Sequence, residues 1–202
     1  MKLFFDIETI PASDEFKEVA IEAERKKYRN RDIAEDDEAL FRASALSGDF
    51  GRILCIGYAI DDNKVEILTG KEKEILNEWW GIAKNASKFI GHNILEFDIP
   101  FIYKRSIILK CPPSQILPVK KFETENIYDT LKQWSRWDYA SNLSLHFLAK
   151  ALSLESSKES GIDGSQVYDY FLKGKYNDIY EYCRRDVELS RKIYKRMTFE
   201  DL

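Results

Sequence analysis

The sequence predicts an α/β fold: a mixed five-stranded sheet, three antiparallel strands and then two parallel ones, flanked by helices. Three observations carry this reading. Two apolar, β-prone runs stand at residues 2–8 and 51–60, and the second is followed at once by a turn and a short return run. Beyond residue 70 the pattern becomes helix, strand, helix, strand, helix. The last of these helical stretches, 176–197, is the longest periodic segment of the chain.

Each element has its own warrant. Lys2-Leu3-Phe4-Phe5-Asp6-Ile7-Glu8 is the first strand. Residues 51–60 form the second, and Asp61-Asp62-Asn63-Lys64 is a tight turn. Lys64 to Leu68 returns as the third strand. Residues 71–86 are helical, with Ile75, Leu76, Trp79, Trp80 and Ala83 on one side. Residues 88–92 give a buried fourth strand. Residues 95–107 begin irregularly around Pro100 and continue as a helix. Asn126-Ile127-Tyr128-Asp129 is a short fifth strand, and 142–152 and 176–197 are helices. This succession is RNase H-like, with the first strand central and the fourth beside it.

Residues 12–47 exceed that minimal pattern. They are densely charged, with apolar residues at Phe16, Val19, Ala20 and Ala23 in helical spacing, and read as two helices inserted after the first strand. Such an insertion is either a solvated helical hairpin packed by one face or a flap contacting nucleic acid through Arg25, Lys26, Lys27, Arg29 and Arg31. Residues 108–125, with Lys120 and Lys121, read as a surface loop, and 153–165 as a mobile Ser- and Gly-rich one.

Bulk properties narrow the class. With 202 residues, 44% of them hydrophobic, residues 1–202 are expected to form one domain with a sizeable core. No run of about eighteen apolar residues suggests a membrane span. A strand starting at residue 2 leaves no room for a signal peptide. Cys55, Cys111 and Cys183 are odd in number, far apart and in no metal-ligand spacing, and read as reduced thiols of a cytoplasmic protein. The net charge of −4, from 35 acids against 31 bases, disfavours a clamp on long duplex. It leaves open a grip on a few nucleotides at a strand end.

Three short segments carry the chemistry. Asp6 and Glu8 are two apart on a strand and share a face. Asp98 follows the fourth strand, in Gly91-His92-Asn93 and Phe97-Asp98. Tyr182 and Asp186 are four apart on a helix and share a face. If these faces converge, four carboxylates meet, too many to ionise together without divalent cations.

Asp-x-Glu, Asn-x-x-x-Phe-Asp and Tyr-x-x-x-Asp in this order resemble the motifs of the DEDD superfamily of 3′–5′ exonucleases, in its tyrosine-bearing (DnaQ-like) branch. Phe97-Asp98-Ile99-Pro100-Phe101-Ile102, Gly161-Ile162-Asp163-Gly164-Ser165 and Tyr182-Cys183-Arg184-Arg185-Asp186-Val187 are most similar to stand-alone exonucleases related to the proofreading domain of family B DNA polymerases. The resemblance runs from Lys2 to about Met197, the charged insertion excepted, and independently implies the RNase H-like fold.

It also implies the chemistry: metal-dependent hydrolysis of phosphodiester bonds from the 3′ end of single-stranded DNA, releasing nucleoside monophosphates. Two divalent cations, Mg²⁺ or Mn²⁺, would be held by Asp6, Glu8, Asp98 and Asp186, since hard oxygen donors suit them. By resemblance Asp6 bridges both ions, Glu8 and Asp186 complete one, Asp98 holds the other, and Tyr182 orients the attacking water. Thr9 and Ile10 would contact the terminal nucleotide. Asn93 either bonds that nucleotide or braces its loop. Phe97 either stacks on a base or packs in the core. Asp129 reads as structural or as a support behind the ligands, His92 as a loop hydrogen-bonder, and one of Arg184 and Arg185 as a phosphate ligand; Lys104, Arg105, Lys120 and Lys121 are generic phosphate candidates. The expected partner is single-stranded nucleic acid with a free 3′ end, DNA favoured over RNA by the polymerase-like strings. The alternatives are an exoribonuclease and a non-catalytic nucleic-acid-binding module of the same fold.

Overall fold

The computed structural model describes residues 1–28, 36–117, 125–138, 143–156 and 162–200. Arg29, Arg31, Lys120 and Lys121, together with residues 157–161 of the Ser- and Gly-rich segment, lie outside the described residues. The strands are β1 (Lys2–Ile10), β2 (Arg52–Ile60), β3 (Glu66–Leu68), β4 (Lys88–Gly91) and β5 (Ile127–Asp129). They form one sheet in the order β3-β2-β1-β4-β5. β1 pairs antiparallel with β2 and parallel with β4, which pairs parallel with β5. The sheet is the expected RNase H-like one, with β1 at its centre.

Eight helices flank it among the described residues: α1 (Lys17–Tyr28), α2 (Asp37–Ala43), α3 (Glu72–Ala83), α4 (Asp98–Leu109), α5 (Thr130–Ser135), α6 (Leu145–Ala151), α7 (Val167–Leu172) and α8 (Tyr176–Met197). One sheet face buries Leu3, Phe5 and Ile7 under α3 and α4. Phe5 is the centre of this layer, with its ring 4.8 Å from Trp79 and 6.3 Å from Phe89. All five apolar residues assigned to the inner side of α3 are buried. The other face carries Phe4 against Val187 and Tyr194 of α8.

Three departures from the sequence reading have physical causes. The short helices α5 and α7 are too brief for a 3.6-residue period to declare itself. In the insertion, Phe16 ends a 3-10 turn and Val19 is half exposed; the buried stripe is Ala20 and Ile21, packed on Leu40 and Phe41. The expected basic face is also neutralised from within, because Arg25 pairs with Asp37, Lys26 with Glu22 and Lys27 with Glu24.

One residue sets how close α8 lies to the sheet. Gly57 pairs with Asp6 across β1 and β2. A Cβ there would stand 2.8 Å from the Cys183 sulfur and 3.0 Å from Val187 Cγ2. No side chain fits without moving the helix. Gly57→Ala should therefore destabilise the protein by roughly 1–3 kcal/mol, read as a lower denaturant midpoint at unchanged slope. An unchanged midpoint would mean that the helix gives way freely at this contact.

Candidate active site

β1 supplies Asp6 and Glu8 on the face turned toward α8, as the two-residue period requires. A register shift between Glu8 and Thr9 ends that regular stretch. α8 brings Tyr182, Cys183 and Asp186 to the same place. The Asp6, Glu8 and Cys183 donor atoms all lie within 4.8 Å of one another. Asp186 lies just beyond, near enough to raise the proton affinity of Asp6, and hydrogen-bonds the Tyr182 phenol. A cavity of about 540 Å³ opens over the group, lined by Asp6, Asn93, Glu96, Gly164, Tyr182 and Asp186 among others.

Asp98 reaches the site differently. β4 pairs with β1 only as far as Phe4. The Ile7 N–H beyond that point donates to Asp98 Oδ1 at 3.0 Å. The side chain is 2% exposed, is tied to the backbone of β1 and does not line the cavity. Asp129 organises the neighbouring loop: its carboxylate accepts the N–H groups of Asn93 and Leu95 and caps α5 through Leu131 and Lys132. That network holds Asn93 in a left-handed conformation, φ 61°, at the cavity wall. Its side-chain oxygen is buried and has no partner among the described residues. His92 is fixed between Thr130 and the Leu143 carbonyl.

Other expected contacts fall elsewhere. The Ile10 side chain is buried in an apolar cluster with Ile162, Val167 and Tyr182 and does not line the cavity. The Thr9 hydroxyl is committed to the Ala45 carbonyl at 2.7 Å. Phe97 leans on Phe101 and lines a separate groove of about 250 Å³ with Lys27, Leu46 and Lys104. Arg105 is no phosphate ligand: it is buried and forks onto Glu72 with two 2.8 Å bonds. Arg184 is held by Glu181 and the Val65 carbonyl. The turn Gly164–Gln166, read as part of a mobile loop, lies over the phenol, and a Cβ on Gly164 would be 3.8 Å from the Tyr182 oxygen. His146, Asp163 and Ser165 also line the cavity. The Ile162-Asp163-Gly164-Ser165 string was the available signal for this wall.

The electrostatics are those of acids without enough counter-charge. Burial, then Asp98 and Asp186, hold Asp6 well above the carboxylate range. Burial and then Asp6 do the same to Glu8. Burial pushes Asp98 up to about 8, opposed by its backbone hydrogen bonds. The phenol of Tyr182 is raised by burial and then by Asp186. Glu8 is 7% exposed and meets no hydrogen-bond donor among the described residues. An acidic donor set with so little counter-charge fits divalent cations, with Asp6 and Glu8 as the convergent oxygen pair.

Residues 52–200 match the family model for a predicted 3′–5′ exonuclease related to the exonuclease domain of PolB. The fold is similar to a family B DNA polymerase of the hyperthermophilic archaeon Pyrobaculum calidifontis, with a TM-score of 0.67 and 15% identity. That likeness covers 98% of this chain and 24% of the polymerase, so it is the fold that is shared. No curated protein matches in sequence. No helix among the described residues is long and apolar enough to cross a membrane.

The pKa shifts fix a response to pH. An acid with a raised folded pKa keeps its proton when folded where the unfolded chain has lost it. The stability it supports is complete below the unfolded value of 3.8 and is lost as pH rises through the folded value, about 8 for Asp98. Asp6 and Glu8 act in the same direction. His92, lowered by burial from 6.5 to about 4, has the opposite sign but stops acting above 6.5. Between pH 6.5 and 8 the melting temperature of the protein in EDTA should therefore fall, on the order of a few degrees. A rise across that interval contradicts a protonated cluster. Substitutions separate the acids further. In EDTA, Asp6→Asn should melt at an equal or higher temperature, because it relieves repulsion. Asp98→Ala strands the Ile7 N–H and should cost about 1–3 kcal/mol. Equal losses from both would erase the distinction.

Proposed function

The chain belongs to the family of predicted 3′–5′ exonucleases related to the exonuclease domain of PolB, and from that premise we propose that it removes nucleoside monophosphates from the 3′ end of single-stranded DNA with two divalent cations, Mg²⁺ or Mn²⁺. The observation that carries this reading is the meeting of Asp6, Tyr182 and Asp186 at one cavity, with Glu8 buried beside Asp6. The cavity volume, about 540 Å³, is in the range of sites for small ligands.

Asp6, Glu8, Asp98 and Asp186 would hold the cations. When bound, the cations lower the pKa of the attacking water and neutralise charge at the phosphoryl group. The chain's own residues do the positioning. Tyr182 keeps its proton at any working pH, since burial and Asp186 raise it above the ordinary phenol value of 10. It is therefore a neutral hydrogen-bonding group and not a base. With its O–H donated to Asp186, its oxygen is left to accept from the water and fix its direction. The Gly164 turn packs over this phenol and limits its movement. Asn93, held by Asp129, offers an unpartnered carboxamide oxygen to a donor on the terminal nucleotide. Thr9 and Ile10 shape the end of β1, and Phe97 with Lys104 lines the groove a preceding nucleotide would follow.

Single strands should be preferred, because a site for the last few nucleotides must unpair a duplex end at roughly 1.4 kcal/mol per step. The deciding assay offers end-labelled single- and double-stranded DNA and RNA in turn with Mg²⁺ and Mn²⁺. Mononucleotides released from free 3′ ends of DNA are expected. Cleavage of circular single strands overturns the exonuclease reading, and faster loss of RNA moves the substrate. Tyr182→Phe should slow hydrolysis by roughly ten- to a thousand-fold with Mn²⁺ binding nearly unchanged. Turnover at the wild-type rate would make Tyr182 a packing residue.

A further inference from the structure

We propose that the Cys183 thiol joins Asp6 and Glu8 in a mixed sulfur–oxygen seat for a thiophilic divalent cation of the zinc and cadmium class. The proposal deepens the reading above and rests on it only for Asp6 and Glu8 as cation-holding carboxylates. The sequence gives no hint of it, since the three cysteines have no ligand spacing. The fold makes the seat by laying α8 over Gly57.

The distances fit. Cys183 Sγ lies 3.8 Å from Asp6 Oδ2, and the Glu8 carboxylate completes a trio within 4.8 Å. A tetrahedral cation about 2.1 Å from oxygen and about 2.3 Å from sulfur places those two donors about 3.6 Å apart. The sulfur is also held in place. It sits 3.6 Å from the Asp6 carbonyl, against the bare Cα of Gly57, and is fully buried. It therefore points at the carboxylates without a rotamer search.

A second observation is independent of the sulfur. Glu8 is 7% exposed and has no hydrogen-bond donor among the described residues. A carboxylate so placed is costly until a cation or proton reaches it. Cys55, opposite Glu8 on β2, is hydrogen-bonded to the Cys183 thiol and makes this flank richer in sulfur.

The chemistry then separates cations by softness. Mg²⁺ takes oxygen donors and gains nothing from the thiol, whereas Zn²⁺ and Cd²⁺ gain a sulfur bond. Binding is a proton exchange with no redox change: the S–H bond breaks, a metal–sulfur bond forms, and the thiol proton passes to solvent together with any proton the Asp6 and Glu8 carboxylates hold. A thiophilic ion seated there occupies the Asp6 and Glu8 oxygens and should displace Mg²⁺ from them.

The test needs no nucleic acid. The intact chain, stripped with EDTA and freed of it, is titrated with Cd²⁺ while sulfur-to-cadmium charge-transfer absorption is followed in the ultraviolet. A saturating band is expected; Mg²⁺ should give no band. Cys183→Ser should abolish the band and weaken Cd²⁺ binding roughly tenfold or more, while Cys111→Ala and Cys55→Ala keep the band. Should Cys183→Ser fold poorly, Asp6→Asn serves with all thiols intact and should weaken Cd²⁺ binding by a similar factor. A band that survives Cys183→Ser, Cd²⁺ binding without a band, or Asp6→Asn at wild-type affinity overturns the seat. Failure of the nuclease reading is distinguishable: a chain that binds Cd²⁺ through Cys183 and degrades nothing keeps this site. Metal-dependent hydrolysis with no thiol band loses this site alone.

Discussion

The close approach of α8 to the middle of the sheet is the constraint on which the rest depends. Only the missing side chain at Gly57 permits it. The helix then lays Val187 and Tyr194 on Phe4 and, from its preceding turns, sets Tyr182, Cys183 and Asp186 against Asp6 and Glu8. The apolar contacts and the acidic ones are made by one helix on one face. The favourable burial of the first, about 25 cal/mol per Å², offsets the electrostatic cost of the second. A helix held by the acidic contacts alone would be repelled in the absence of cations.

The buried acids fall into two kinds, and the difference is physical. Asp129 accepts four backbone N–H groups, and Glu72 accepts the Arg105 fork and the Ile53 N–H. These carboxylates are saturated with donors and organise the chain around them. Asp98 stands between, with one bond to Ile7 and a raised proton affinity. Glu8 has no such donor among the described residues, and Asp6 has the weak one of the Cys183 thiol. An unsatisfied buried group costs the full desolvation of that group, of the order of 1–3 kcal/mol and more if charged. Glu8 without a donor and Asp6 with only a weak one, beside acids that are satisfied, leave the Asp6 and Glu8 oxygens free to take a ligand.

How much of this was legible in the chain follows from range. The strands and α3 announced themselves because period 2 and period 3.6 are local properties, as the burial of Ile75, Leu76, Trp79, Trp80 and Ala83 illustrates. The Asp-x-Glu and Tyr-x-x-x-Asp pairs were legible because each shares a face by spacing alone. Their meeting was legible only by resemblance. What stayed hidden depends on contacts between distant segments. The Arg105–Glu72 fork spans 33 residues, and the Cys183–Asp6 contact spans 177. The burial of the Ile10 side chain with Ile162 and Val167 likewise depends on segments more than 150 residues away, which the resemblance that named Ile10 could not show.

The insertion after β1 shows how charge in a sequence can mislead and what then holds such a segment. Its helices look like a basic surface for phosphate, yet Arg25, Lys26 and Lys27 are paired with acids of the same segment, and Arg42 with Glu38 and Asp169. Exposed pairs of this kind contribute little, about 0–1 kcal/mol each, so they neither fix the insertion nor leave a strong field. The fixing comes from the apolar contacts of Ala12, Ala20, Ile21, Leu40 and Phe41, and from Ser44, which bonds both Ala12 and Phe41. The same turn accepts the Thr9 hydroxyl at Ala45. Thr9 is the residue after Glu8, beyond the register shift, where pairing with β2 alone leaves β1 weakly determined. The insertion thus braces the end of the strand that carries the two unsatisfied acids, so its sequence bears on the site through the position of the backbone before any charge it presents.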